Sequence, residues 1–422
     1  MTRAARAAAA AIVLALAALG GLGLSLPTAA SADEPAPFPG TVDGFYVVPD
    51  PLPPGAPGEL IRVQPMADDG QVATVRIMYH SIDAAGRDRA VTGVVTYPTS
   101  PAPPDGRPVV SLAPGTSGLA SPCATSRTGA PAPRYGLDAV GVRTDYIGLG
   151  PPGDLQPYLS RLSEGHAVID AVRAARHLSA AGAGDEWFSI GHSQGGHGAL
   201  SAAELAAGYA PELDLLGTVA IAPAAMLDRT YGPIDRIVAN IVGVMALYGA
   251  PTEHPEIDPD DYVGPQTAAV AAAVLPTSCI DTIIEQFLTV PPDQFYVHDP
   301  AQTEPAASLL VENDVGNVRA DEPLLLLQGT ADPIVSPART ADLFARLCTT
   351  GQVTDYRTVE GADHGTILGA TDDAVALWLQ QRLADEPAVD TCLAAQGSTT
   401  TTPPTSTTAA ALPAPATPAF TG

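Results

Sequence analysis

The sequence predicts an α/β fold, a mostly parallel β-sheet with helices on both faces and a helical cap inserted late in the chain. Strand-like and helix-like segments alternate from about residue 72 onwards, and repeated βα units build parallel sheets that are covered on both sides. Four consecutive leucines at 324–327 are typical of a strand that is buried on both faces. Helix-like stretches dominate residues 224–320, which indicates the cap.

The expected elements follow in chain order. Segments 72–81 and 91–97 are rich in β-branched residues and alternate as an antiparallel strand pair does. The other expected strands are apolar runs at 108–112, 139–146, 187–190, 215–222, 323–327 and 353–359. The expected helices have apolar residues at helical spacing and cover 163–179, 195–209, 237–248, 267–275, 280–288, 337–347 and 371–383.

The two ends of the 422-residue chain are not expected to belong to the fold. Arginines precede an apolar run that ends in Ala-Ser-Ala, so residues 1–32 read as a secretory signal peptide. An uncleaved anchor is the alternative, because the run approaches the roughly 18 residues that span a bilayer. Thr, Ser, Pro and Ala dominate the other end, 397–422, which predicts a disordered tail.

This leaves a core in two parts, residues 33–223 and 321–396, with the cap of residues 224–320 between them. The mature protein would be secreted, and attachment to the cell surface through the tail stays an open alternative. All 20 basic residues are arginines, against 46 acidic ones, and the net charge is −26. Such a charge argues against nucleic acid as a partner, because nucleic-acid binding needs a basic face.

Four cysteines lie in the part that would be exported: Cys123, Cys279, Cys348 and Cys392. An even number of cysteines in an oxidising compartment predicts two disulfides, with three possible pairings. Free buried thiols are the alternative. None of the cysteines has the C-x2-C spacing of a zinc site, and we expect neither a metal nor another cofactor.

A G-x-S-x-G motif at 191–195 carries the candidate nucleophile, Ser193. The expected strand at 187–190 leads into this motif and the expected helix at 195–209 follows it. Strand, sharp turn and helix together form a nucleophile elbow, in which the residues around the serine must be small. The start of the helix also directs partial positive charge towards the reacting oxygen.

A serine hydroxyl needs a base, and an orienting carboxylate must hold that base. His364 follows the last expected strand and is flanked by turn-forming residues, which makes it the candidate base. Asp332 follows the leucine-rich strand and is the candidate carboxylate. Asp363 competes for this role, but a residue next to the histidine cannot easily fold back onto its ring. The chain order Ser193, Asp332, His364 is that of the α/β-hydrolases.

The oxyanion that forms during ester cleavage needs two backbone N–H donors. Gln194, directly after the serine, is expected to supply one of them. The loop after the strand at 108–112 should supply the other, and because Pro114 has no N–H group, Gly115 and Thr116 are the candidates. Thr116 is favoured.

Six segments carry a family resemblance: APGTSG at 113–118, DYIGLG at 145–150, EGHAVIDAVRAAR at 164–176, GHSQGG at 191–196, GTADPIV at 329–335 and DHG at 363–365. In combination they resemble the secretory lipase family, α/β-hydrolases of the yeast lipase A type. The resemblance covers about residues 40–392. It implies a helical cap between the sixth and seventh strands, disulfides Cys123–Cys279 and Cys348–Cys392, and hydrolysis of acyl esters, including triacylglycerols, without a metal.

The leading hypothesis is therefore a secreted serine ester hydrolase that acts through Ser193, His364 and Asp332. Its substrate would be an acylglycerol or another lipophilic ester, met in solution or at a lipid–water interface. One alternative is an acyltransferase that uses the same three residues to pass the acyl group to a cell-envelope alcohol. The other is a non-catalytic adhesion module, a class that usually loses these residues.

Overall fold

One mixed sheet of nine strands forms the centre of the computed structural model, which describes residues 34–229 and 237–393. The strands are β1 (Leu60–Asp68), β2 (Val72–Ile82), β3 (Asp88–Pro98), β4 (Arg107–Ala113), β5 (Val140–Thr144), β6 (Ala183–His192), β7 (Asp214–Ile221), β8 (Leu324–Gly329) and β9 (Thr354–Val359). Their order across the sheet is β1-β2-β3-β5-β4-β6-β7-β8-β9.

The last six strands in that order, from β5 to β9, are parallel to one another. The first three strands are antiparallel, and β3 also pairs antiparallel with β5. The predicted antiparallel pair and the predicted mostly parallel sheet are therefore both confirmed. The carboxyl ends of the parallel strands meet at one edge, where the candidate residues of the sequence analysis follow β4, β6, β8 and β9.

Nine α-helices accompany the sheet in the described residues. They are α1 (Val42–Phe45), α2 (Arg161–Arg176), α3 (Gln194–Tyr209), α4 (Ile237–Gly249), α5 (Pro265–Val274), α6 (Ile280–Phe287), α7 (Ala306–Glu312), α8 (Pro337–Thr350) and α9 (Thr366–Leu383). Apolar side chains alternate between the two faces of the strands, as the period of a β-strand requires. One face packs on α2, α3 and α8, and the other packs on α9.

Helices α4 to α7 all lie between β7 and β8 and pack around an apolar cluster of their own. Ile241 and Met245 of α4 and Ile283 and Phe287 of α6 are completely buried in this cluster. These helices occupy the position in which the sequence predicts a cap. The domain boundaries at 223/224 and 320/321 stay a prediction.

The sequence pattern does not indicate β1, and it predicts the start of α9 five residues too late, at 371 instead of Thr366. Pro65 lies inside β1, and a proline weakens any strand signal because it cannot donate to a β-ladder. The structure accommodates it because β1 is the edge strand and its pairing with β2 is irregular between Pro65 and Ala67.

Two disulfides cross-link the fold, Cys123–Cys279 and Cys348–Cys392. This is the pairing that the family resemblance implies, and no cysteine is left free. The predicted signal peptide, residues 1–32, and the predicted tail, residues 397–422, lie outside the described residues. Among residues 34–229 and 237–393, every helix is too short or too polar to cross a membrane.

Candidate functional site

Ser193 lies at a sharp turn between β6 and α3. Its backbone has a φ angle of 59° and a ψ angle of −120°, in a region that residues other than glycine rarely occupy. The turn closes only because its neighbours are glycines. A Cβ atom on Gly191 would overlap the carbonyl oxygen of Gly195, and one on Gly195 would overlap that of Ala113. The structure thus has the elbow geometry that the motif predicts.

Backbone hydrogen bonds hold this strained peptide unit. The N–H of Ser193 donates to the carbonyl of Ile221 at 2.9 Å, and the carbonyl of Ser193 accepts from the N–H of Ala224 at 3.0 Å. Both partners come from the end of β7 and the loop that follows it. Because neither bond involves the hydroxyl group, the side chain of Ser193 is free to point into the cleft above the sheet, which it lines.

Asp332 and His364 meet at the ends of β8 and β9. His364 Nδ1 lies 2.7 Å from Asp332 Oδ2. The other carboxylate oxygen, Oδ1, accepts from the N–H groups of Ile334 at 2.8 Å and Val335 at 2.9 Å. Burial by itself would raise the pKa of Asp332, but these hydrogen bonds and the charge of His364 lower it overall. Asp332 is therefore an anion that accepts the Nδ1 proton and leaves Nε2 of His364 facing the cleft.

Asp363, the competing carboxylate, is engaged elsewhere. Its Oδ1 accepts from the N–H groups of Gly365 at 3.0 Å and Thr366 at 2.8 Å, and from the hydroxyl of Thr366 at 2.7 Å. These bonds close the turn that begins α9. The geometry thus pairs His364 with Asp332, as favoured from the sequence.

Ser193 and His364 line the same cavity of about 730 Å³, but no hydrogen bond joins Ser193 Oγ to the ring in this structure. Contacts of this kind are often long in the absence of substrate and shorten in the Michaelis complex. Aliphatic side chains cover one side of the cavity. They come from α4, α6, the turn after β8 and the start of α9: Val238, Val242, Ile280, Ile284, Ile334 and Leu368.

The imidazole ring of His192 packs against that of His364, with 4.4 Å between the ring centroids. Burial, together with the charge of His364, lowers the pKa of His192 to about 4. His192 is therefore neutral at neutral pH. A neutral ring can pack against His364 without repelling a positive charge on it.

The candidate oxyanion donors surround the elbow. Gln194 begins α3, and the loop after β4 runs beside the end of β6, where Gly115 approaches the backbone oxygen of His192. The N–H groups of Gly115, Thr116 and Gln194 donate to no residue in the described part of the chain. The hydroxyl of Thr116 lies 2.6 Å from that of Tyr158, a buried phenol whose pKa is raised by burial. Tyr158 therefore holds Thr116 by its side chain and leaves its N–H available.

A buried pair of charged groups that the sequence pattern does not indicate lies directly behind the elbow. Glu164 Oε1 accepts from Gln194 Nε2 at 2.7 Å and from the N–H of Leu159 at 3.0 Å, and Oε2 lies 2.7 Å from His197 Nδ1. The other ring nitrogen, His197 Nε2, donates to the carbonyl oxygen of Asn313 at 2.8 Å. Because both ring nitrogens donate, His197 is an imidazolium paired with the Glu164 carboxylate.

This pair links three parts of the site. Glu164 lies in the first turn of α2, Gln194 carries a candidate oxyanion donor, and Asn313 ends α7 of the inserted helices. Glu164 and His197 are 1% and 0% exposed. Because a buried charge without a partner costs several kcal/mol, each of the two groups needs the other to stay charged. In the sequence the two residues lie on separate helices, Glu164 on α2 and His197 on α3, and no local pattern pairs them. Only the packing of α2 against α3 brings the two together.

The ion pair predicts a pH dependence of stability. Burial by itself would lower the pKa of His197, but the charge and hydrogen bond of Glu164 raise it overall. His197 therefore stabilises the fold fully below its unfolded pKa of about 6.5, and this stabilisation is lost as the pH rises through the folded pKa. Urea unfolding of wild type and His197→Gln between pH 5 and 9 measures this effect. The difference between their free energies of unfolding should shrink as the pH rises, by about 1.4 kcal/mol for each unit by which folding raises the pKa of His197.

His166→Gln is the matched control for this experiment. Burial lowers the pKa of His166, so its stabilisation is present above about pH 6.5 and is lost as the pH falls through the folded pKa. Its free-energy difference from wild type should change with pH in the opposite direction. A difference for His197→Gln that stays constant from pH 5 to 9 would contradict the ion pair.

In the described residues, no three His, Cys, Asp or Glu side chains are arranged to hold a metal ion. The arrangement brings together a serine at a strained elbow, a histidine held by a carboxylate, and free backbone N–H groups around them. Such a set can transfer an acyl group through a covalent serine intermediate.

Comparison with known proteins agrees with this geometry. The sequence profile of the family described as "Secretory lipase" matches residues 138–391. A Mycobacterium tuberculosis protein named "Probable inactive lipase" is 22% identical over 388 residues, which cover 82% of this chain and 83% of that protein.

Two groups of solved structures have the same fold. Candida antarctica lipase A superposes with a TM-score of 0.68 at 18% identity, over 82% of this chain and 87% of that one. The rice cell wall degrading esterase LipA from Xanthomonas oryzae superposes with a TM-score of 0.64 at 20% identity, over 78% of this chain and 99% of that one. At these identities the superpositions show the α/β-hydrolase fold.

Proposed function

The chain belongs to the secretory lipase family, and from this premise we propose that it is a serine carboxylic ester hydrolase that acts through Ser193, His364 and Asp332. The single observation that carries the proposal is that Ser193 and His364 line one cavity, while Asp332 behind them holds His364 Nδ1 at 2.7 Å from its Oδ2. One relative is named a probable inactive lipase. Whether these three residues are active in this chain is therefore the point to test.

In the first half of the proposed reaction, Ser193 Oγ attacks the ester carbonyl carbon while His364 Nε2 takes the hydroxyl proton. Asp332 stays ionised and stabilises the imidazolium through Nδ1. The carbonyl oxygen becomes an oxyanion that accepts hydrogen bonds from backbone N–H groups. The tetrahedral intermediate then expels the alcohol, which takes the proton from His364 Nε2, and the acyl group remains on Ser193.

In the second half, a water molecule gives one proton to His364 Nε2 and its oxygen attacks the acyl-serine carbonyl. Collapse of this second intermediate releases the carboxylic acid and returns the proton to Ser193 Oγ. The same groups act as base and then as acid in each half. The hydrogen bond between Ser193 Oγ and His364 Nε2 would form when the substrate binds.

For the oxyanion we propose the N–H groups of Gln194 and Thr116. Gln194 begins α3, so its N–H points out of the start of a helix. Its side chain is tied to Glu164, and Thr116 is tied to Tyr158. These side-chain bonds favour Thr116 over Gly115, which has no side chain to fix its peptide.

We further propose that the acyl part of the substrate is lipophilic. The side chains of α4 and α6 that face the cavity are Val238, Val242, Ile280 and Ile284. An apolar wall next to a nucleophile binds hydrocarbon through burial, with about 0.8 kcal/mol for each CH₂ group. Acylglycerols and other lipophilic esters are therefore the proposed substrates.

The test is a series of p-nitrophenyl esters from acetate to palmitate, together with emulsified triolein. We expect kcat/KM to rise with acyl length as CH₂ groups are buried, by up to about fourfold for each group that enters the apolar wall. Activity confined to acetate would contradict the lipophilic site, and no turnover of any ester by folded protein would contradict the proposed function. Product analysis with glycerol present distinguishes transfer of the acyl group from its hydrolysis.

We also propose that the protein is exported by cleavage of residues 1–32. The family description and the signal-like sequence support this. Amino-terminal sequencing of the protein recovered from the medium of an expression host is expected to begin at Asp33. Retention of the full-length chain in the membrane fraction would favour an uncleaved anchor.

A further inference from the structure

Two arginines, Arg143 and Arg127, line the active-site cavity. Arg143 lies near the carboxyl end of β5, opposite Leu112 of β4, and Leu112 lies opposite Ile190 of β6. Since neighbouring strands are about 4.8 Å apart, the backbone of Arg143 lies roughly 10 Å across the sheet from the strand that leads to Ser193. Arg127, on the short helical turn Thr125–Thr128, lines the same cavity.

The hydrogen bonds of Arg143 leave its charge uncompensated. Nη2 donates to the carbonyl oxygens of Ala130 at 2.9 Å and Thr125 at 3.4 Å. Nε is buried without a partner. Both acceptors are neutral, and burial lowers the pKa of this guanidinium. A partly desolvated cation whose hydrogen-bond acceptors are all neutral gains free energy when an anion binds to it.

The carboxylate of Asp145 acts on this charge only from a distance and forms no ion pair with Arg143. Asp145 is completely buried, and it raises the pKa of Arg143 only through its charge. Its Oδ1 accepts from Thr125 Oγ1 and the N–H of Ser126, and its Oδ2 accepts from Thr92 and Ser126 hydroxyls. With both oxygens engaged, Asp145 forms no salt bridge with Arg143.

Arg127 adds a second cation that is held in place from outside the cavity. Its guanidinium stacks on the ring of Tyr46, 3.9 Å from the centroid, and Nη1 donates to Asp43 Oδ1 at 3.0 Å. The carboxylate of Asp43 is 94% exposed, so this pair is screened by solvent and contributes little. The lining of the cavity therefore combines aliphatic side chains with two cationic ones.

We propose that the two arginines form a binding subsite for an anionic group of the substrate, a carboxylate, sulfate or phosphate, with Arg143 as its main ligand and Arg127 as its second contact. This inference rests on the proposed function. A substrate bound in the cavity would place its hydrocarbon on the aliphatic side chains, its anion at Arg143 and its scissile carbonyl at Ser193. The arginines would favour such amphiphilic anionic esters over neutral ones, in spite of the acidic net charge of −26.

Two matched ester pairs test the proposal and show which part of the substrate carries the anion. Mono-4-nitrophenyl adipate and 4-nitrophenyl hexanoate differ by a carboxylate in the acyl part. The esters 4-(butyryloxy)benzoate and 4-(butyryloxy)benzamide differ by a carboxylate in the alcohol part. In at least one pair, wild type should have a higher kcat/KM for the anionic ester than for the neutral one. Arg143→Gln should lower this ratio at least tenfold by raising KM for the anionic ester. The kcat for the neutral ester should stay unchanged.

Arg134→Gln is the control, because it removes the same charge outside the cavity and should keep the preference of wild type. The proposal is overturned if wild type prefers the anionic ester in neither pair. It is also overturned if Arg143→Gln lowers kcat/KM equally for both members of each pair, because that result would mean that Arg143 only supports the loop at 125–130.

Calorimetric titration with hexyl sulfate and with hexanol separates this proposal from the proposed function, because it needs no turnover. Wild type should bind hexyl sulfate more tightly than hexanol, and Arg143→Gln should lose that difference while its melting temperature stays near that of wild type. Equal affinities of wild type for the two ligands overturn the subsite, whatever the esterase result.

Discussion

Replacement of Ser193 by alanine is expected to lower kcat by about 10⁶-fold for every ester that the protein hydrolyses. Residues of such a triad act as a unit, so the loss of the nucleophile alone costs nearly as much as the loss of all three. The fold should not change, because the elbow is held by the backbone bonds of Ser193 to Ile221 and Ala224, which alanine retains. Steady-state kinetics with the preferred ester and thermal unfolding measure the two effects.

Ser201→Ala is the matched control for this variant. Ser201 is a buried serine of α3, and its hydroxyl donates to the carbonyl oxygen of His197 at 2.8 Å. Loss of that bond removes about 1 kcal/mol of stability and should leave kcat near that of wild type. If Ser193→Ala retained one per cent of wild-type activity or more, the chemistry would have to lie elsewhere.

Removal of the Cys123–Cys279 disulfide, through paired replacement by alanine, is expected to lower the free energy of unfolding by about 5 kcal/mol. The bond closes a segment with a sequence separation of 156, and in the chain-entropy account the loss grows with the logarithm of this length. The variant should also lose activity. Ile280, next to Cys279, donates to the carbonyl oxygen of Ser117 at 2.9 Å, so the disulfide ties α6 to the loop after β4 that carries the proposed donor Thr116.

The Cys348–Cys392 disulfide supplies the comparison, with a sequence separation of 44 and an expected loss of about 4 kcal/mol. It joins α8 to the carboxyl-terminal segment, away from the cavity, so its paired alanine variant should keep wild-type kcat. Urea unfolding and ester kinetics on both variants give the two readouts. Equal activity of the two variants would show that the first disulfide does not support the cleft.

Most of the fold could be predicted because its signals are local. Alternation of β-branched residues, apolar helical spacing and the glycines around Ser193 each depend on neighbours in the chain. The same local signals failed for β1, where Pro65 hides a strand that only its place at the sheet edge makes possible. They also failed at the start of α9, where the bonds of Asp363 to Thr366 begin the helix.

By itself the sequence determined the α/β class, the elbow, and the chain order Ser193, Asp332, His364, because each of these follows from turn chemistry and from the period of a strand or helix. The tertiary structure alone decided three contacts: the His192 ring against His364, the Glu164–His197 pair behind the elbow, and Arg143 in the cavity wall. The physical reason is that burial and pairing of polar groups depend on which distant segments pack together, and this is a property of strand order and not of local pattern.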